Sequence, residues 1–295
     1  MKSRSLWTGC LVTTLAVLFF LGLSGIVLAL LGKGSFFSPQ ERVGVVEIKG
    51  LLTDSRTAIK QLDRYRNDDS IKAIVLRINS PGGAVGPAQE ILREVEKIRT
   101  KKKIVASLGT VAASGGYYIA SGANLIMANR GTITGSIGVI MQFTNVEGLT
   151  KKIGLDFFNL KAGRYKDVGS PFRTMSPEDK AYLQGFLDNI YQQFVNDVAH
   201  NRKIPVATLK TLAEGRIYTG EEAKQVGLVD EFGNLPDAID KAGRLGGIKG
   251  KVEAVYPEKE GFSLVRFLLG QETEDTLSRL ALSYPEPAFL PSWFR

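Results

Sequence analysis

Three short segments carry residue types that could do chemistry: NSPGGAVG at 79–86, AASGGYY at 112–118 and KAGRYKDVGSP at 161–171. In the second, Ser114 follows an apolar run and a loop, and two glycines trail it into a helix-like stretch. A serine placed so presents its Oγ beside backbone N–H groups at a helix start, which suits attack on a carbonyl and stabilisation of the oxyanion that results. Ser-Gly-Gly is also an ordinary helix cap and Pro-Gly-Gly an ordinary turn, so neither tripeptide decides the matter alone. The base is constrained more sharply. The chain has one histidine, His200, and one cysteine, Cys10. A Ser-His-Asp triad would have to use His200, which stands in the polar stretch VAHNRK and reads as an exposed helix end. A hydrolase built on this sequence is expected to use another base.

The same two counts exclude an intrachain disulfide and a Cys/His zinc cluster. At 295 residues, 44% hydrophobic and 23% charged, the chain can bury a sizeable core and is not a disordered sequence. The net charge of +8 is uneven: residues 1–40 hold Lys2, Arg4 and Lys33 with no acid, leaving 35 basic against 30 acidic side chains beyond them. No arginine stripe interleaved with aromatics tracks nucleic-acid phosphates, and RTKKK at 99–103 reads as a solvated, cationic helix end.

Residues 7–31 contain no charge. As a helix they would reach about 37 Å at ~1.5 Å per residue, enough to cross a hydrocarbon layer of ~30 Å. The run is longer than a signal-peptide core and Val27-Leu28-Ala29-Leu30 offers no good cleavage site, while Gly9-Cys10 precedes the apolar run instead of following it, unlike a lipoprotein signal. The expected organisation is a cytoplasmic 1–6, a transmembrane anchor at 7–31, a linker at 32–42, a body at 43–257 and a tail at 258–295. Lys2, Arg4 and the amino terminus sit before the span, so the body is expected outside the cytoplasm.

The body must position the three segments. VGVVEIKG (43–50), IKAIVLRI (71–78), KIVASL (103–108) and NLIMAN (124–129) read as strands, and 55–66 and 85–100 carry apolar residues at helical spacing. That βαβαβ order implies an α/β fold with a largely parallel sheet, whose functional groups gather at the carboxyl ends of its strands. Ser176-Pro-Glu-Asp is expected to cap a long helix through about 202, and Thr219-Gly-Glu-Glu222 to open another. No internal repeat of the whole unit is visible. In the tail, FSLVRFLLG reads as a helix and SYPEPAFLPSWFR as a segment packed on this body or a neighbouring subunit. A membrane-surface contact through Phe289, Trp293 and Phe294 is the alternative.

Taken together, INSPGGAV (78–85), VAASGGYYIAS (111–121), TGSIGVI (134–140), AGRYKDVGSPFR (162–173) and GRIYTGEEAKQVGLVDEFG (215–233) resemble the signal peptide peptidase A family in its single-repeat form. The likeness runs from about 43 to 246 and leaves the anchor and tail uncovered. It implies a ClpP/crotonase-like fold, a spiral of repeated β-β-α and βαβ units, and a bacterial cytoplasmic membrane as location. It implies Ser114 as nucleophile, Lys166 as general base, Ser136 as the group that orients the lysine, and an oxyanion hole from the backbone N–H of Gly83, with Gly115 as its partner. Lys161 and Arg164 compete for the role of base. Arginine does not surrender its proton in a protein, so Lys161 is the remaining competitor. A lysine base must be neutral, with its pKa lowered from ~10.4 toward 7–8. Asp167 would oppose that if it pointed inward, and is expected to pair elsewhere, with Arg164 or Arg173.

The resemblance further implies degradation of remnant signal peptides through an acyl-enzyme, with no metal or cofactor. The extended substrate would lie as a strand near Gly83. It also implies ring-like homo-oligomers that share serine and lysine between subunits; the 52 residues separating Ser114 from Lys166 leave cis and trans equally open. Two rivals stand beside this reading. A crotonase-like acyl-CoA enzyme would carry carboxylate acid/base residues and no anchor. An inactive membrane scaffold on the same fold would keep the dyad residues unused.

Overall fold

A computed structural model describes residues 14–24, 40–257 and 288–289. The chain divides into two units, 1–41 and 42–295. In the first, residues 14–24 form a helix, α1, with Leu15, Phe19 and Phe20 exposed. Among the described residues no helix is long and apolar enough to cross a membrane. The expected span at 7–31 lies partly outside the described residues, and the FSLVRFLLG helix and all of the tail except 288–289 lie wholly outside them.

In the second unit the elements follow in the order β1 (Arg42–Leu52), α2 (Arg56–Asn67), β2 (Ile71–Ala84), α3 (Val85–Arg99), β3 (Lys103–Ala113) and α4 (Gly115–Ser121). There follow β4 (Leu125–Ala128), β5 (Ile133–Gly135), α5 (Glu147–Lys152), α6 (Pro177–Arg202), α7 (Val206–Leu212), β6 (Ile217–Thr219) and α8 (Gly220–Gln225). β7 (Glu231–Phe232), α9 (Leu235–Leu245), β8 (Glu253–Val255) and β9 (Ala288–Phe289) complete the series. The main sheet runs β6-β5-β3-β2-β1-β8, with β4 joining β3 to β7 and β9 lying on β2. All pairings are parallel except β5 with β6 and β2 with β9.

The strands read as near-continuous apolar runs because both faces are covered. Val46, Ile48, Ile74, Leu76, Ile78, Ile104 and Leu108 face one way, against Leu62, Ile91, Val95 and Ile98 of α2 and α3, and Phe194 and Val198 of α6. Val43, Val45, Ala73, Val75 and Val105 face the other, against Ala238, Ile239 and Ala242 of α9. Each large aliphatic side chain so buried contributes about 1.5–3 kcal/mol relative to exposure.

The expected capping residues do their work: Ser176 and Thr219 each close a reciprocal box, with Asp179 and Glu222. RTKKK is only partly solvated, since Lys102 Nζ donates to the carbonyls of Tyr65 and Asp68, 2.7 Å each, at the carboxyl end of α2. Two strands outrun their apolar cores. β2 continues through NSPGGA, which the sequence presents as a loop, because Leu51 and Leu52 of β1 remain in register with Gly82 and Gly83. β3 continues past Leu108 to Ala113, where β5 takes up its free side.

Candidate active site

The carboxyl ends of β2 and β3 are pulled apart by a bulge: Ile78 pairs with Leu108, but Ser80 pairs with Ala112. Asn79 bridges the mismatch, its Oδ1 accepting from the N–H groups of Thr110 and Val111 at 3.1 and 3.2 Å. Ser80, fully buried, donates its Oγ proton to the Gly50 carbonyl at 2.6 Å and accepts from the Gly82 N–H at 3.1 Å. These two side chains shape the Pro-Gly-Gly turn and hold it between its neighbours. Gly83 is buried there against β1, where a Cβ would overlap the Leu52 carbonyl oxygen.

Ser114 stands between β3 and α4 with φ 52° and ψ −117°, a conformation that side chains other than glycine rarely adopt. Its N–H donates to the Gly135 carbonyl at 2.8 Å, and its own carbonyl accepts from the Tyr118 N–H at 2.8 Å. The residue is fully buried and its Oγ makes no hydrogen bond. Gly115 opens α4, and Gly116 packs so close to the first turn that a Cβ would lie 2.7 Å from the Ser80 carbonyl oxygen. The helix therefore packs its first turn on Ser80, the residue before Pro-Gly-Gly.

Two buried tyrosines lock α4 in place. Tyr117 donates to the Leu228 carbonyl at 2.9 Å, and Tyr118 donates to Asp197 while standing edge-on to Phe194, ring centroids 4.9 Å apart. Burial raises the pKa of both phenols, and the Asp197 carboxylate raises that of Tyr118 further. Beneath Tyr117, Arg202 holds Asp230 through two bonds of 2.6 and 3.0 Å, and Asp230 accepts the Ile126 N–H at 2.7 Å.

Ser136, 4% exposed, follows β5 with φ 51°, and its N–H donates to the Arg216 carbonyl at 2.7 Å. Because Ala113 pairs with Gly135, Ser136 and Ser114 leave the sheet side by side.

Lys166 lies on a loop braced to α6. Tyr165 stacks on Tyr182 with centroids 4.3 Å apart and donates to Glu178, which also pairs with Arg164. Asp167 pairs with Arg173 at 3.0 Å and with Lys161, and Arg173 also holds Asp179. The Arg173 and Lys161 cations hold the Asp167 carboxyl well below the usual carboxylate range. Of the two partners expected for Asp167, Arg173 takes it and Arg164 goes to Glu178. Lys161, the competing base, is occupied by Asp167. Lys166 itself is exposed. The fold thus brings Ser114, Gly115, Gly83 and Ser136 to one end of the sheet and, within one chain, leaves Lys166 without a hydrogen bond to Ser114. His200 is exposed.

Four contributors went unnoticed in the sequence. Asn79 and Ser80 were legible as polar residues between an apolar strand and Pro-Gly-Gly. Arg202 and Asp230, 28 positions apart, carried no local signal.

Residues 96–249 match the family model described as Peptidase family S49, and residues 45–145 match that of Clp protease. A putative protease of Methanocaldococcus jannaschii is 41% identical over 219 residues, which span 74% of this chain and 70% of that protein. A putative protease of Synechocystis is 39% identical over 238 residues, 80% of this chain and 86% of its own. A putative signal peptide peptidase SppA of Enterococcus faecium is 40% identical over 183 residues, 62% of this chain and 53% of its own.

Proposed function

Because the chain belongs to peptidase family S49, and so is a serine peptidase on an α/β, ClpP-like fold, we propose that it cleaves extended peptides, remnant signal peptides among them, with a Ser114/Lys166 dyad. The observation that carries this reading is Ser114 itself: strained, buried, and its Oγ free of any hydrogen bond. Strain of this kind is retained where it serves a function.

Neutral Lys166 takes the Ser114 proton as Oγ bonds to the scissile carbonyl carbon. The carbonyl oxygen becomes an oxyanion received by the N–H groups of Gly83 and Gly115. Collapse breaks the C–N bond, and the lysine ammonium returns the proton to the departing amine. Water, deprotonated by the same lysine, then hydrolyses the ester and frees Ser114. Ser136 orients the amine.

Lys166 reaches Ser114 from a neighbouring copy in a homo-oligomer. Two observations support this: the unpartnered Oγ, and the apolar run beside the lysine loop, where Phe158 is 86% and Leu160 95% exposed in the single chain, with Leu149, Ile153 and Phe157 near them in sequence. Exposed apolar surface of that kind marks an interaction site. The uncharged stretch 7–31 anchors the enzyme in a bacterial cytoplasmic membrane, body outward, which suits substrates released within the bilayer.

A fluorophosphonate probe and an unstructured casein substrate test the reading together. Labelling and cleavage should both vanish in Ser114→Ala, and cleavage in Lys166→Ala. Equal behaviour of all three proteins in a confirmed oligomer would overturn it in favour of an inactive scaffold. Alkaline-carbonate extraction of membranes tests the anchor: the full chain should stay in the pellet.

A further inference from the structure

Just before Gly83, β2 falls out of step with both of its neighbours. Against β1, Lys49 pairs with Asn79 but Leu51 with Gly82, so Gly50 alone faces both Ser80 and Pro81. Against β3, Ile78 pairs with Leu108 but Ser80 with Ala112, two residues before Ser114. A bulge disrupts the ladder locally and leaves its extra residue unpaired, and Pro81 has no N–H with which to restore a bond. The Ser80 hydroxyl takes that place. Fully buried, it donates to the Gly50 carbonyl at 2.6 Å and accepts from the Gly82 N–H at 3.1 Å. Gly50 and Gly82 both stand at positive φ, 68° and 108°, so one hydroxyl pins two irregular backbone turns to each other. The backbone of the same residue meets the serine side of the site: its partner Ala112 leads into Ser114, and a Cβ on Gly116 would lie 2.7 Å from the Ser80 carbonyl oxygen.

We propose that Ser80 is a positioning residue for the oxyanion hole, its hydroxyl fixing the Gly82 peptide, and with it the Gly83 N–H, relative to Ser114. The proposal rests on the peptidase reading and deepens it. Its basis is that one residue grips both partners: the hydroxyl holds the turn that leads to Gly83, while the backbone is held by β3 and α4, which flank Ser114. Without the hydroxyl, the turn keeps only its pairing with Leu51 and Leu52 of β1, and nothing refers it to the nucleophile. Such a displacement weakens the bond to a developing oxyanion more than it weakens the docking of an uncleaved peptide. Ser80 therefore acts on kcat, through Gly83, and touches no reacting atom itself.

The test uses the full chain carrying Ser80→Ala or Ser80→Cys; cysteine fills nearly the same space but offers only a weak S–H donor. On an unstructured peptide substrate kcat should fall about ten- to a hundredfold in both, the cost of a displacement on the order of an ångström, with KM within about twofold of the unaltered enzyme. Ser80→Thr, which keeps the hydroxyl, should recover most of that kcat. Amide hydrogen exchange at Gly82 and Gly83 should rise in the alanine and cysteine variants while Ile74 to Ile78 keep their protection. This second readout needs no catalysis, so an unaltered chain inert toward casein would sink the peptidase reading while exchange still judges the grip of Ser80 on the turn. Unchanged exchange at Gly82 and Gly83 overturns the proposal, and so does an unchanged kcat in an active enzyme. A change in KM as large as that in kcat, with exchange raised along all of β2, would reduce Ser80 to a packing residue and overturn it too.

Discussion

Ser114 and Ser136 leave two paired parallel strands at the same level, one residue beyond the Ala113–Gly135 pair, and both turn with positive φ, 52° and 51°. Each departure costs on the order of 1–3 kcal/mol for a residue other than glycine. Backbone bonds hold both: Ser114 N–H to Gly135 and Ser136 N–H to Arg216, at 2.8 and 2.7 Å. Two strained serines side by side at a sheet end therefore separate stability from activity. Ser136→Gly relieves strain and should leave the midpoint of thermal unfolding unchanged or raised, while kcat on a peptide substrate falls about tenfold or more as the lysine loses its orienting group. A variant that keeps full activity would remove Ser136 from the mechanism.

Gly83→Ala places a Cβ on the Leu52 carbonyl oxygen. The Pro-Gly-Gly segment must shift and carry its N–H off the oxyanion. Loss of one such donor costs about 10²–10³ in kcat, so steady-state kinetics should show that fall with KM little changed. Retention of wild-type kcat would move the oxyanion hole elsewhere.

The shared-dyad reading makes an assembly prediction. Phe158→Glu with Leu160→Glu should give a smaller particle by light scattering and an inactive one. Ser114→Ala and Lys166→Ala, each inert alone, should regain activity when unfolded and refolded as a mixture, because some interfaces then join an intact Ser114 to an intact Lys166. Persistent inactivity of a mixture shown to co-assemble would place both residues in one subunit.

Asp230→Ala leaves Arg202 buried, its side chain 8% exposed, with its carboxylate partner gone. Asp230 itself is 34% exposed and Arg202 keeps its bonds to the Gly227 carbonyl, so losing the charged hydrogen bonds costs about 1.5–3 kcal/mol. Chemical denaturation should show that loss, together with weakened activity, since Tyr117 and the serine helix rest on this pair. A change under about 1 kcal/mol would mean that water replaces the carboxylate.

The lysine loop should loosen in acid. Hydrogen bonds from Lys151 and from the hydroxyl and N–H of Thr174 hold Glu147 at about 2, below its ordinary 4.5. A folded pKa below the unfolded one contributes stability that is complete above the unfolded value and is lost as pH falls through the folded one. Hydrogen exchange of residues 147–174 should therefore rise between about pH 4.5 and about 2, with the Asp167 pairings failing in the same direction. Glu147→Gln should remove much of that pH dependence.

Local chemistry made much of this protein legible in its sequence. Apolar runs alternating with helical periodicity implied the parallel sheet, since strands covered on both faces need few polar residues. Ser176 and Thr219 announced helix starts because capping acts over three residues. One histidine in the whole chain, in a polar stretch, leaves a hydrolase to another base. Tertiary structure decided the rest. The Pro-Gly-Gly segment became strand because β1, some thirty residues earlier, supplies a register that no local pattern contains. Asn79 became a bridge only when β2 and β3 fell out of step. Arg202 found Asp230, and Phe289 found Gly83, across separations where chain entropy, not sequence, sets the cost of meeting. The positive φ of Ser114 is likewise a tertiary product: a serine prefers other conformations, and only the strands, the α4 packing and the Gly135 carbonyl together hold it there.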